Sequence, residues 1–287
     1  MRVVVWIEAF SGLRFDPDIL RMIQHAKKYL GQLASRNELP ADRTVPIVRH
    51  GDNATKEIIA VAEEEGIDLI IMASRCKSWL RRLAQGSVHW GLVRSQVCPI
   101  CVCPSPARRP PVDIAQWRRR EPPMRILIAV DGSAECEASL RAAAKWVSDL
   151  NADVYLLQVV DGSARRRGLV HGKPEREEGV EVEAPVVMKK VRTYLGELAS
   201  RFELPADRTV PLARCGDNPA KVITTIAEDE GIDLIVVGSH CRSWPGQLTQ
   251  GSVYSEVIHS KVCPVLCVPL PRAQRGAQRS GVLTRRG

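Results

Sequence analysis

One stretch of this chain is written twice. Glu38-Leu-Pro-Ala-Asp-Arg-Thr-Val-Pro46 recurs unchanged as Glu203–Pro211, and Tyr29–Arg36 recurs as Tyr194–Arg201 with one residue changed. Gly51-Asp-Asn53 returns as Gly216-Asp-Asn218, Gly66–Ile70 as Gly231–Ile235, Gln85–Val88 as Gln250–Val253, and Val97-Cys-Pro99 as Val262–Pro264. The spacing between copies never changes, so no insertion separates them and the two halves must share one fold. The repeat predicts domains over residues 1–104 and 124–270, joined by a linker over 105–123 and followed by a tail over 271–287.

The second copy carries alternating strand and helix signals. Arg125–Val130 is a continuous apolar run of the kind found in strands buried on both faces. Asp131-Gly132-Ser133 turns the chain, and Ser133 is placed to cap a helix whose Leu140, Ala144 and Val147 form one apolar stripe. Val154–Val160 reads as a second strand, followed by a polar loop from Gly162 to about Ala184 and a helix to Arg201. A short strand is expected near Thr209–Ala213. Asn218-Pro219 signals a capped helix start, and Gly231 its end. Ile232–Val237, Val253–Ser260 and Pro264–Val268 read as strand, helix and strand. Repeated β-α units imply a mainly parallel sheet with helices on both faces.

The first copy is incomplete. Val4–Phe10 matches the second strand of the later copy, and nothing ahead of it matches Arg125–Leu150. Two accounts are open: the true start lies upstream, which is the preferred expectation, or the half survives by leaning on its partner.

A net charge of +8 invites a nucleic-acid reading. The linker holds five arginines against Asp113 and Glu121, and the segment from Leu270 onward holds five arginines and no acid. Together they account for the whole excess, so these are basic arms rather than a basic face, and no specific nucleic-acid partner is expected. The apolar runs are too short to span a bilayer and the first residues do not read as a signal peptide, so no membrane insertion and a cytoplasmic location are expected. Nine cysteines, an odd number, fit reduced thiols. Cys98-Pro-Ile-Cys101-Val-Cys103 lies in a β-prone run in which Cys101 and Cys103 share a face, and packing is favoured there over a metal site.

In open α/β sheets, ligands sit beyond the carboxyl ends of the strands where the strand order reverses. Asp131, Gly132 and Ser133 follow the first strand of the second copy. Gly238-Ser-His-Cys241 follows the fourth, running on through nine residues to Gly251-Ser252. Glycine lets backbone approach a phosphate closely, and Ser252 opens a helix whose N–H groups favour an anion. The spacing Gly-x2-Gly-x9-Gly-Ser, with the Val-Asp-Gly-Ser turn and a closing Cys-Pro-Val strand, resembles the universal stress protein family over nearly all of both copies.

That resemblance implies Rossmann-like, adenine nucleotide alpha hydrolase-like domains with a parallel five-stranded sheet in order 3-2-1-4-5, and frequent dimerisation through the last strand. It implies ATP, with Mg, as the ligand in binding members. Asp131 would then read the adenine edge, with Gly132 in the same turn. Gly238, Gly251 and Ser252 would hold ribose and phosphates, and Val159 and Val253 would supply backbone contacts. The sequence departs from the pattern at Cys241, and at Cys76 in the first copy, where the motif has glycine. A non-glycine residue in a left-handed conformation costs about 1–2 kcal/mol, enough to weaken an affinity about tenfold or more. The first copy also has Ala73 for the first glycine and no counterpart of Asp131, so binding is expected from the second copy alone.

Plainer roles compete for each residue. Asp131 serves equally as a turn residue, Gly251-Ser252 as a helix start, and His240, Trp79 and Trp244 as loop residues. Lys56 and Lys221 read as solvated helix charges. No nucleophile–base pair, HExxH helix or Walker loop is present, so no catalytic residues are expected. The expectation is a stress-response module with a weak ATP site in its second domain. A non-binding scaffold acting through domain pairing at Val97–Val102 and Val262–Val268, with homo-oligomerisation open to it, is the alternative. A redox sensor built on Cys241 and Cys76 ranks last.

Overall fold

In the computed structural model the described residues are 3–5, 18–49, 51, 53–74, 88–104, 123–150, 152–160, 169–170, 173–174, 184–238 and 253–269. They fall into two compact units, one drawn from residues 1–68 and 84–98, the other from 69–83 and 99–287.

In the first unit, strand β1 (Val3–Val5) pairs in parallel with β2 (Thr44–Pro46). Helix α1 (Asp18–Arg36) packs on β2, and helices α2 (Ala54–Glu64) and α3 (Val88–Ser95) pack together. Leu30, Val61, Ala62, Leu92 and Val93 are buried. Gly91 is needed at the α2–α3 contact, because a Cβ there would lie 2.6 Å from Thr55 Cγ2.

The second unit is built on one seven-stranded sheet. Its strands are β3 (Ile70–Ser74), β4 (Ile100–Pro104), β5 (Arg125–Val130), β6 (Asp153–Val160), β9 (Thr209–Cys215), β10 (Leu234–Gly238) and β11 (Val265–Val268), in the order β3-β4-β11-β10-β5-β6-β9. The two-residue strands β7 (Leu169–Val170) and β8 (Lys173–Pro174) form a separate hairpin within the segment read from the sequence as loop. The second copy's five strands run β9-β6-β5-β10-β11, which is 3-2-1-4-5 in copy order, all parallel.

The helices form where the sequence signals them. Ser133 caps α4 (Ala134–Asp149) by accepting from Cys136 N, and Asn218 caps α6 (Pro219–Asp229) by accepting from Lys221 N, with Pro219 in the first turn. Gly231, at φ +62°, ends α6 in the left-handed conformation that glycine adopts without a Cβ penalty. Leu140, Ala144 and Val147 of α4 are buried with Val191, Leu195 and Leu198 of α5 (Ala184–Arg201) against Ile126, Ile128, Leu156, Val236 and Leu266. Alternate strand residues, among them Leu127, Leu157, Ile235 and Val265, point to the opposite face. There α6 packs on β6, and α7 (Val253–Ser260) on α6 and β11. Layers on both faces explain why β10, and β5 after Arg125, are apolar throughout.

The duplicated sequence repeats its backbone down to strained positions. Glu38 and Glu203 adopt φ of 54° and 55°, and Gln96 and Lys261 adopt 55° and 58°. The first copy's four strands do not form one sheet among the described residues: β1 and β2 pair with each other, whereas β3 and β4 belong to the seven-stranded sheet. Among the described residues no first-copy strand stands where β5 joins β6 to β10 in the second copy. The one antiparallel junction of the sheet is β4 with β11, registered Val265↔Val102, Leu266↔Cys101 and Cys267↔Ile100. Because Cys101 corresponds to Leu266 in the repeat, this pairing is centred on a local two-fold. No helix among the described residues is long and apolar enough to cross a membrane.

Candidate functional site

Strand β5 is the hinge of the site. The order reverses there: the chain moves outward to β6 and β9 on one side, then returns to place β10 and β11 on the other. The register runs Val237↔Ala129 on one side and Val130↔Gln158 on the other. One step further along parallel strands, Gly238 stands beside Val130, and Asp131 beside Val159. The carboxyl tips of β5, β6 and β10 thus end side by side at the switch point, where parallel-sheet proteins open a crevice.

The turn that follows β5 is braced from within. Gly132 adopts φ +78°, which lets the chain reverse into α4. Asp131 Oδ1 accepts two hydrogen bonds from Ser133, one from its N–H at 2.9 Å and one from its hydroxyl at 2.6 Å. The same Ser133 hydroxyl oxygen accepts from Cys136 N at 3.1 Å. A carboxylate, a cap and a helix start are therefore coupled in one chain of bonds, and Asp131 is half-buried. The role of turn residue, one of two open from the sequence, is realised in these bonds. It positions the carboxylate for a second task without excluding one.

Val159 is buried, and Gly216 N donates to the carbonyl of its neighbour Val160 at 3.1 Å. Gly238 is buried at the end of β10. Val253 begins α7. Cys241, Gly251 and Ser252 lie outside the described residues, as do His240, Trp244, Trp79 and Cys76. The described geometry thus joins Asp131, Gly132, Val159 and Gly238. Behind them, under α4, is an apolar cavity of about 10 Å³ lined by residues including Ile128, Val130, Cys136, Leu140 and Val268. It is water-sized and has no polar lining to hold a ligand.

A model of the universal stress protein family matches residues 11–104 and 123–269. The chain belongs to that family. Universal stress protein A homolog 2 of Coxiella burnetii is 32% identical over 146 residues, which cover 50% of this chain and 93% of that protein. A universal stress protein of Methanocaldococcus jannaschii is 29% identical over 156 residues, 52% of this chain and 84% of its own length. Among solved structures, a universal stress protein from Archaeoglobus fulgidus aligns over 94% of this chain and 85% of its own, with a TM-score of 0.62 at 19% identity, a likeness of fold.

In this member of the family, two features at the strand tips escape a reading of the sequence. Gly216 is one. A Cβ there would meet Val222 Cγ2 at 2.5 Å and come within 3.9 Å of Val159 Cγ1, so its bare backbone is what lets β9 and α6 close around the end of β6. Its recurrence as Gly51 was the available signal. Gln158 is the other. It is buried on β6 between Val130 and Ala213, and its Oε1 accepts no hydrogen bond. A lone amide in an apolar strand was the signal, hidden by the strength of the strand pattern around it.

The cysteine run resolves into a pair. Cys101 and Cys103 lie two apart on β4, share a face, and their thiols hydrogen-bond. Acceptance of that hydrogen bond pulls the Cys103 pKa below its ordinary value against the opposing effect of burial. Donating the bond, burial and neighbouring thiols push Cys101 far upward.

Proposed function

We propose that the second copy binds an adenine nucleotide across the tips of β5, β6 and β10, and that the chain works as a cytoplasmic nucleotide-responsive module rather than a catalyst. The observation that carries this reading is the juxtaposition of Asp131, Val159 and Gly238 at the point where strand order reverses. An ionised carboxylate accepts hydrogen bonds and never donates them, so Asp131 suits the amino and hydroxyl donors of a nucleoside. The bracing by Ser133 fixes its direction before a ligand arrives, which reduces the ordering cost of binding. The backbone around Val159 would face the base.

In this reading Asp131, Val159 and Gly238 would hold the adenosine half of ATP. The phosphate half falls to Gly251, Ser252 and the N-terminus of α7 beginning at Val253, with Cys241 as the residue that weakens it. Bound Mg would supply charge neutralisation for the phosphates. This chain's residues would bind and orient the nucleotide.

Calorimetry of the full chain with Mg-ATP tests the reading. Saturable binding with a Kd below about a millimolar, weakened at least tenfold in Asp131→Asn and tightened in Cys241→Gly, supports it. No heat of binding at millimolar nucleotide overturns it. The antiparallel β4–β11 junction supports a second reading, in which the protein acts through the pairing of its two halves. Nucleotide-independent function that is lost on breaking that junction would favour it.

A further inference from the structure

Helix α7 begins where the nucleotide reading puts the phosphates, and its first turn, Val253–Glu256, carries one charged residue, the acid Glu256. That side chain is held in place. Its Oε2 accepts from Asn218 Nδ2 at 3.2 Å, while Oδ1 of the same asparagine accepts from Lys221 N at 2.9 Å to cap α6. The cap of one helix thereby fixes the carboxylate of the next, across the contact of α6 with α7. Asn218 is a neutral amide, and among the described residues no cation pairs with Glu256. Glu256 is half-buried, between the buried Ser255 and Val257, so solvent screens its charge only in part. Helix packing does not require the acid. In the first copy the repeat puts Gly91 at this position, yet α2 and α3 still pack together and Asn53 still caps α2 by accepting from Lys56 N.

The start of a helix offers the equivalent of about half a positive charge, and the effect fades within the first turn. Glu256 already sets its own negative charge in that field. A phosphate arriving at the same turn meets a weakened attraction and a fixed like charge. We propose that Glu256 sets the charge selectivity of the second copy's site: it disfavours phosphate that carries no metal, so affinity falls from AMP to ATP when no divalent cation is present. Mg takes oxygen ligands and is commonly held by a carboxylate together with substrate phosphates, so the acid that repels bare phosphate attracts the metal complex. Adenosine, which carries no charge, is indifferent to it. This inference rests on the nucleotide reading and adds to it the ligand's charge state.

The test is calorimetry of the full chain with adenosine, AMP and ATP in the presence of a chelator, then with ATP and excess Mg. Metal-free ATP should bind about threefold or more weakly than AMP, and Mg should recover the loss. Glu256→Gln keeps an acceptor for Asn218 and removes only the charge, so the link between the helices is retained. It should tighten metal-free ATP by about threefold or more and leave adenosine within about twofold. Raising the salt concentration should tighten metal-free ATP in the parent more than in the variant, because screening relieves a repulsion that the variant lacks. Metal-free ATP that binds as tightly as AMP, or an ATP affinity unchanged in Glu256→Gln, overturns the proposal, while saturable adenosine binding leaves the nucleotide reading standing. Absence of adenosine and AMP binding to the parent overturns the nucleotide reading and this proposal with it.

Discussion

Asp131 has a structural task that is visible and a ligand task that is proposed, and substitutions separate them. Asp131→Ala removes the acceptor of both bonds from Ser133, at 2.9 and 2.6 Å. Hydrogen bonds to charged groups are worth about 1.5–3 kcal/mol each when buried, and the half-buried setting shares them with water, so a loss of about 2 kcal/mol for the pair is expected. Asp131→Asn keeps Oδ1 as a carbonyl acceptor and gives up only the charge, for about 1 kcal/mol or less. Urea unfolding should therefore rank the parent above Asn and Asn above Ala, with an unchanged m-value. Mg-ATP calorimetry should rank them differently, with Asn already losing at least tenfold in affinity because half of the amide presents donors where the nucleoside needs acceptors. If Asp131→Ala unfolds at the parent midpoint, the bracing account is wrong. If Asp131→Asn titrates like the parent, the carboxylate does not face the ligand.

Further measurements test the packing and the thiols. Gly216→Ala places a Cβ 2.5 Å from Val222 Cγ2 and should destabilise by about 1–3 kcal/mol, with Gly216→Ala/Val222→Ala recovering part of the loss in the same urea assay. Glu203→Gly relieves a left-handed φ of 55° and should raise the unfolding free energy by up to about 1 kcal/mol, whereas Glu203→Pro should lower it. Mass spectrometry after brief iodoacetamide treatment at pH 8 should find Cys103 alkylated ahead of Cys101, and Cys101→Ala should slow Cys103 by removing its thiol donor. Since the folded Cys103 pKa is depressed, its contribution to stability is fully present above the unfolded thiol pKa and is lost as pH falls through the folded value.

How much of this was legible beforehand depends on the range of the interaction. The helix caps at Ser133 and Asn218, the end of α6 at Gly231 and the stripe Leu140–Ala144–Val147 are decided within one or two helical turns, and the sequence carried them. Strand limits slipped by one to two residues, as at β10, which starts at Leu234 rather than Ile232, because the end of pairing depends on the neighbouring strand. In the site, a turn at Asp131 and a tip at Gly238 could be read from local pattern. The bonds by which Ser133 braces Asp131, the tight fit of Gly216 and the buried amide of Gln158 could not.

By itself the sequence determined that one stretch is written twice, that the second copy alternates strand and helix, and where its caps and turns fall, because these follow from repetition, periodicity and nearest-neighbour chemistry. The tertiary structure alone decided which strands lie side by side. It divided the first copy's strands between two sheets and joined β4 to β11 in a two-fold register. Pairing between strands is fixed by contacts among residues far apart in the chain.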